Sequence, residues 1–244
     1  MRIGIIGAGN IGATLARSLT KAGHKVAVAN SRGPESLREI EASTGARAVT
    51  IEQVGNDVDA LILSIPQRAV ATLQKTLFAR APFIIDTNNY YPFRDGRIEA
   101  LDNGLADSVW VAQQIDRPVV KAFNSIQSNS LAHFGRPAGA PDRIALPISG
   151  DDREMLKATA SIVDDVGFDA VEAGDLQSSW RQQPGSPVYC TDLGAEDLRR
   201  MLPLAVRAKL PELRDAAINS FMGLSPPPTP EQRREIFRRL YLQR

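Results

Sequence analysis

The sequence predicts an α/β fold built on a doubly wound parallel sheet, and three observations carry that prediction. Short runs rich in Ile, Val and Leu recur along the first two thirds of the chain, segments with helical spacing separate them, and a glycine-rich turn directly follows the first run. Near-continuous apolar strands alternating with helices belong to a parallel sheet covered on both faces.

The strands are Arg2–Ile6, Lys25–Ala29, Ala60–Leu63, Phe83–Asp86 and residues 119–122, with 46–49 as a weaker candidate. Residues 11–22 and 35–44 space their apolar positions as helices do. Past Asn124 the texture changes. Residues 131–142, rich in Gly and Pro, read as a loop, and 143–149 and 168–172 as further strands. Asp151 and Glu154 form the N-cap pair of a helix running to about Val166. Residues 196–222 are helical in pattern, broken at Pro203 and Pro211. Ser225-Pro226-Pro227-Pro228 is a stiff spacer, and Thr229, Pro230 and Gln232 start a last helix.

Composition narrows the function classes. The chain has 244 residues, 43% hydrophobic and 23% charged, as a globular protein does. A net charge of +1 provides no bulk field for nucleic acid or an anionic membrane. No apolar stretch has the length of a membrane span. The first apolar run is interrupted by Gly7, Gly9, Asn10 and Gly12, unlike an export signal, so a soluble cytoplasmic protein is expected. Cys190 is the single cysteine, and His24 and His133 stand isolated, so neither a disulfide nor a metal site is expected.

The most specific signal is Gly7-Ala8-Gly9-Asn10-Ile11-Gly12, which leaves the first strand and opens a helix. Gly7 permits the tight turn, Gly9 lets a pyrophosphate approach the backbone, and Gly12 lets helix and strand pack closely. Asn10 and Ile11 begin the helix, whose unpaired N–H groups attract phosphate. Residues 1–140 are therefore expected to be a Rossmann-type dinucleotide-binding domain, and 141–244 a smaller, mostly helical C-terminal domain ending in a helical arm. An NAD site usually closes its second strand with a carboxylate. Here the strand ends in Asn30-Ser31-Arg32, with no carboxylate before Glu35. The serine hydroxyl and the arginine fork suit the 2′-phosphate of NADP(H) instead.

In this fold ligands lie beyond the carboxyl ends of the strands. Ser64, Ile65 and Pro66 are candidates to bound the nicotinamide, and Asn88, Asn89 and Asn124 to contact its carboxamide or the acceptor. The catalytic candidates are Asn124, Lys121 and Asn88. Lys121 and Tyr90 are the candidate proton donors, although Lys121 also reads as a strand-end lysine whose ammonium reaches water. No nucleophile motif is present. A crevice without a strong acid or base suits hydride exchange with a flavin-like ring. The alternatives are reduction of a small carbonyl or imine, and a non-catalytic NADP-binding sensor.

The combination of Gly7–Gly12, Asn30-Ser31-Arg32-Gly33-Pro34-Glu35, Ser64-Ile65-Pro66, Asp86-Thr87-Asn88-Asn89-Tyr90-Tyr91-Pro92, Lys121-Ala122-Phe123-Asn124 and Gly150-Asp151-Asp152 resembles the coenzyme F420-dependent NADP oxidoreductases and their bacterial relatives. The resemblance covers about the first 175 residues. It implies a Rossmann domain with a small C-terminal domain, a homodimer, and Ser31 and Arg32 on the 2′-phosphate. It also implies F420 as the small-molecule redox acceptor, with a flavin as the other ring acceptor the crevice suits. In the last helix Ile236, Phe237, Leu240 and Tyr241 share one side, and Arg233, Arg234, Arg238 and Arg239 lie mostly elsewhere. Such a stripe packs on its own chain or docks on a neighbour, and the implied dimer favours the neighbour.

Overall fold

The computed structural model describes residues 1–222 and 224–242. The strands are β1 (Arg2–Ile6), β2 (Lys25–Ala29), β3 (Arg47–Ala48), β4 (Ala60–Leu63), β5 (Phe83–Asp86), β6 (Val120–Lys121), β7 (Ala145–Ile148) and β8 (Asp169–Glu172). The helices are α1 (Asn10–Lys21), α2 (Arg38–Thr44), α3 (Pro92–Asp95), α4 (Glu99–Asp102), α5 (Asp107–Ile115), α6 (Ser128–His133), α7 (Arg153–Asp165), α8 (Ala195–Met201), α9 (Leu210–Asn219) and α10 (Pro230–Tyr241).

Six strands form one parallel sheet in the order β3-β2-β1-β4-β5-β6. The order reverses between β1 and β4, which opens a crevice at their carboxyl ends. Successive side chains of a strand leave opposite faces of the sheet, and both faces here are covered. Ile3, Ile5, Ala60 and Ile62 face a core shared with Leu15 and Leu19 of α1 and Ile162 and Val163 of α7. Ile6, Leu61, Leu63 and Ile84 face the opposite core, with Phe78 and with Val109 and Trp110 of α5. The chain therefore has the doubly wound Rossmann architecture.

A second parallel pair, β7–β8, joins the outer edge of β6 by an antiparallel bridge. Lys121 and Ser149 exchange backbone hydrogen bonds of 2.8 and 3.0 Å there. Ile144, Leu146, Ile148 and Phe168 belong to the same buried cluster as Ile3 and Leu15, so hydrophobic packing runs continuously across residue 140. The remaining face of β7–β8 is covered by Leu198 of α8.

Several local details differ from the sequence expectation. The helix after Gly150 is capped by Asp152, whose carboxylate accepts from Met155 N at 2.9 Å, while Asp151 accepts from Leu176 N at 3.0 Å. Two adjacent aspartates offer the same cap chemistry, and chain direction decides between them. The segment read as a loop from 131 begins inside α6. Pro211 does not break a helix but sits in the first turn of α9, where its missing N–H costs nothing. The expected last helix does start at Thr229, where Thr229 and Gln232 form a reciprocal capping box for α10.

The apolar stripe of α10 is covered by its own chain, not held away on the proline spacer. Phe237 and Tyr241 are buried with Tyr189, Cys190 and Ala217. Phe237 packs edge-on to Tyr189 and Phe221, with ring centroids 5.9 and 5.3 Å apart. Arg238 fastens the helix by donating to the carbonyls of Thr191 and Asp192 at 2.8 and 3.1 Å. A chain ending at Leu224 should therefore keep its assembly state on sizing while Cys190 becomes reactive to an aromatic disulfide reagent. An unreactive thiol together with altered assembly would show that α10 docks on a neighbour.

Candidate active site

The turn after β1 has the geometry that its glycines allow. Gly7 lies at φ +111°, and a Cβ there would meet Ser64 O at 2.0 Å. A Cβ on Gly12 would meet Gly7 O at 2.0 Å, so its absence sets how closely α1 packs on the turn. Around Gly9 nothing lies within 4 Å of an added Cβ, which leaves the backbone open to a ligand. Gly9 is also the N-cap of α1, whose first turn contains no acidic side chain to compete for an anion.

Beyond β2, Asn30 organises the loop. Its Oδ1 accepts from Arg32 N at 2.9 Å and its Nδ2 donates to Ser36 Oγ at 2.9 Å. Ser31 and Arg32 are exposed. Arg38, by contrast, pairs with Glu35.

The carboxyl ends of β1, β4, β5 and β6 surround a cleft of ≈ 420 Å³. Gly9, Asn10 and Ile11 enter it from the phosphate loop, and Ser64, Ile65 and Pro66 from the end of β4. Thr87, Asn88 and Asn89 follow β5, and Phe123 and Asn124 follow β6. The structure thus brings together nine of the singled-out residues: Gly9, Asn10, Ile11, Ser64, Ile65, Pro66, Asn88, Asn89 and Asn124. Gly7 and Gly12 shape the turn beneath it. Asn30, Ser31, Arg32 and Lys121 are not among its lining residues.

Asn88 is buried and fixed on three sides. Its N donates to Asp86 Oδ1 at 3.1 Å, its O accepts from Lys121 Nζ at 3.1 Å, and its Oδ1 accepts from Ile65 N at 3.0 Å. Its amide Nδ2 has no partner among the described residues. An unpaired buried amide donor costs about 1–3 kcal/mol, which an acceptor oxygen on a bound ligand would recover.

Asn124 differs. Its Nδ2 donates to Asn89 Oδ1 at 3.0 Å and Gln182 O at 2.7 Å, while its Oδ1 accepts from Gln182 Nε2 at 2.9 Å. Its amide is thus engaged within the protein. Gln182 also bonds Pro147 O at 3.1 Å and Ser149 Oγ at 2.8 Å, tying the cleft to β7.

The two expected proton donors lie elsewhere. Lys121 is fully buried, so its ammonium does not reach water; Nζ donates to Ser108 Oγ at 2.9 Å beneath the cleft. Tyr90 turns away, its hydroxyl donating to Asp102 Oδ1 at 2.9 Å. The neighbouring Tyr91 lines the cleft, its hydroxyl 2.6 Å from that of Tyr189. Burial pushes both phenols well above the usual tyrosine range, and burial beside Asp192 does the same to the Cys190 thiol. All three stay protonated at neutral pH. Their side of the cleft offers neutral donors and no nucleophile.

Tyr189 and Arg94 escaped the sequence reading, and Cys190 entered it only as the single cysteine, not as a cleft residue. Tyr189 and Cys190 sit in a segment without periodicity, far in sequence from their cleft neighbours; Tyr189 is 98 residues from Tyr91. Arg94 sits one turn after Tyr91, its guanidinium 5.3 Å from that ring. Arg adjacent to a Tyr-Tyr-Pro turn was the available signal.

Residues 2–90 match the family described as NADP oxidoreductase coenzyme F420-dependent. The Escherichia coli (strain K12) protein YjhV is 40% identical over 103 residues, covering 41% of this chain and 72% of that protein. The chain belongs to the coenzyme F420-dependent NADP oxidoreductase family. Two solved structures share the architecture. Protein SMa0349 of Sinorhizobium meliloti is 28% identical with a TM-score of 0.66, covering 79% of this chain and 94% of that one. The "putative f420 dependent nadp-reductase" of Arthrobacter sp. FB24 is 19% identical with a TM-score of 0.61, covering 73% and 87%. The family match ends near β5, so the part of the cleft formed by Phe123, Asn124, Tyr189 and Cys190 lies outside it. No helix of the described residues is long and apolar enough to cross a membrane, and no His, Cys, Asp or Glu cluster suited to a metal occurs among them.

The chain's residues fit the family's nucleotide. The phosphate turn is open at Gly9, the helix end above it has no acidic neighbour, and Asn88 holds an unsatisfied donor in the cleft.

Proposed function

We propose that this protein is an NADP(H)-dependent oxidoreductase that exchanges a hydride with a flat, flavin-like ring or F420. The observation that carries the reading is a cleft that joins the phosphate turn to a wall of neutral hydrogen-bond donors. Residues 1–140 hold the cofactor, and 141–244 complete the acceptor side through Tyr189 and Cys190. Gly9 and the first turn of α1 receive the pyrophosphate, and Ser31 and Arg32 the 2′-phosphate. Ser64, Ile65 and Pro66 bound the nicotinamide side, where Asn88 Nδ2 donates to a cofactor oxygen. NADP(H), when bound, supplies or accepts the hydride.

The chain's task is then positioning and exclusion of water. Asn124 acts through others, holding Asn89 and Gln182 in place. Tyr91 and Tyr189 stay protonated and orient a ring edge by hydrogen bonds. A conjugated ring spreads the arriving charge, so no strong acid is required of the protein.

A second reading has one observation in its favour. The Tyr91–Tyr189 hydroxyl pair could protonate an alkoxide formed from a small carbonyl, since a phenol is a stronger acid than an alcohol even with its pKa raised. The test mixes protein and NADPH with F420, FMN, FAD and a panel of carbonyls and imines, following loss of reduced-nicotinamide absorbance. Oxidation by F420 or flavins is expected. Oxidation by carbonyls or imines alone would overturn the ring reading, and turnover with none of them would leave an NADP-binding sensor. The proposed protein works in the cytoplasm as a homodimer, which sedimentation of the full chain checks.

A further inference from the structure

Among the described residues lining the cleft, Arg94 is the sole charged side chain, and no carboxylate is present. Three contacts fix its guanidinium. Nε and Nη2 donate to the two oxygens of Asp95 at 3.2 and 2.8 Å, and Nη2 also donates to Asn89 O at 2.6 Å. Asp95 is itself held, accepting from Tyr91 N at 3.0 Å, and its side chain is buried. The carboxylate faces inward, whereas the Arg94 side chain is 39% exposed and its guanidinium packs over the Tyr91 ring. Its Nη1 makes no hydrogen bond among the described residues.

An arginine held in this way is preorganised, with donors still free for an oxyanion. It costs little further side-chain entropy to use. Its place beside Tyr91 puts it on the acceptor side, away from the phosphate turn. Asp95 behind the guanidinium offsets part of its charge, but no carboxylate lines the cleft itself to compete for Nη1.

We propose that Arg94 selects an acceptor carrying an anionic group, a carboxylate or phosphate, and binds that group while the reactive part lies against the Tyr91–Tyr189 wall. The inference rests on the hydride-transfer reading above but is tested separately from it. FMN and riboflavin share a ring and differ by one phosphate, so the pair isolates the charge. Protein saturated with NADP+, which blocks the cofactor's own phosphate sites, is titrated with each flavin by fluorescence.

FMN is expected to bind about tenfold more tightly than riboflavin, the scale of one charge-assisted hydrogen-bonded contact. Arg94→Ala should abolish that ratio, and Arg94→Lys should keep part of it, retaining the charge without the fork. A merely structural role for Arg94 would weaken both flavins together. Equal affinities in the unaltered protein, or equal losses in Arg94→Ala, would overturn the proposal and leave the ring reading intact. If neither flavin binds, flavins are excluded as the ring acceptor and only F420 remains of the ring reading. Turnover of a 2-oxo acid against its neutral methyl ester then applies the same comparison, and absence of an anionic preference there overturns the role of Arg94.

Discussion

Replacing Lys121 with methionine should cost the fold about 3 kcal/mol at pH 8, because it removes the cation from a buried set of charges. Lys121 is fully buried and reaches Asp86 through a hydroxyl: Nζ donates to Ser108 Oγ at 2.9 Å, and that hydroxyl donates to Asp86 Oδ2 at 2.6 Å. Asp107 is buried nearby and accepts from Tyr90 N at 2.9 Å. Burial raises both carboxyls above the usual carboxylate range, and Lys121 opposes that rise in each. Without the ammonium both rise further. A carboxyl whose pKa is higher folded than unfolded stabilises the fold when neutral and loses that contribution as pH increases. The deficit of Lys121→Met should therefore be small below the ordinary carboxylate range and grow as pH rises above it. Urea unfolding at pH 5 and pH 8 reads this directly. A deficit equal at both values would mean that the lysine contributes packing and hydrogen bonds alone. Because Lys121 also donates to Asn88 O, the variant should loosen the cleft floor as well.

The strands were legible because β1, β2, β4 and β5 are buried on both faces and so consist almost wholly of apolar residues. The phosphate turn was legible because steric demands at Gly7 and Gly12 admit no side chain. Adjacent side chains resisted the same treatment. Asp151 and Asp152 have the same capping chemistry, and Tyr90 and Tyr91 the same phenol. In each pair the local geometry sends one toward a role and its neighbour away, and that geometry depends on distant packing. Tyr90 is buried with its hydroxyl held by Ile98 N and Asp102, away from the cleft, whereas the Tyr91 hydroxyl meets that of Tyr189 in the cleft. Gln182, the hub between Asn124 and β7, lies where no periodicity marks burial. Phe123 and Cys190 adopt positive φ, +59° and +56°, without the glycine, asparagine or aspartate that would signal it in sequence. The side of the cleft formed by Tyr189, Cys190 and Gln182 therefore emerged only from the tertiary structure, whereas the phosphate turn and the strand ends beside it follow from local motifs.

Arg32→Ala should weaken NADPH roughly ten- to a hundredfold while NADH affinity barely moves, since a charged hydrogen bond contributes about 1.5–3 kcal/mol. The exposed loop at the end of β2 is prepared for this role. Asn30 Oδ1 fixes the backbone N–H of Arg32, and Ser36 Oγ braces the turn by donating to Gly33 O at 2.8 Å. The Arg32 guanidinium has no ion-pair partner among the described residues, whereas the next arginine, Arg38, is already paired with Glu35. The loop that would need a carboxylate to favour the ribose hydroxyls of NAD has none at Asn30 or Ser31. Ser31→Ala should act in the same direction with a smaller loss, since a neutral hydroxyl contributes about 0.5–1.5 kcal/mol. Calorimetric titration of each variant with both nucleotides separates the outcomes. Equal loss of NADPH and NADH in Arg32→Ala would mean that the arginine supports the loop and not the phosphate. Equal affinity of the unaltered protein for the two nucleotides would refute NADP selectivity itself. Raising the salt concentration should narrow the NADPH advantage, because the contact is an exposed ion pair, and a preference indifferent to salt would point to a buried contact elsewhere.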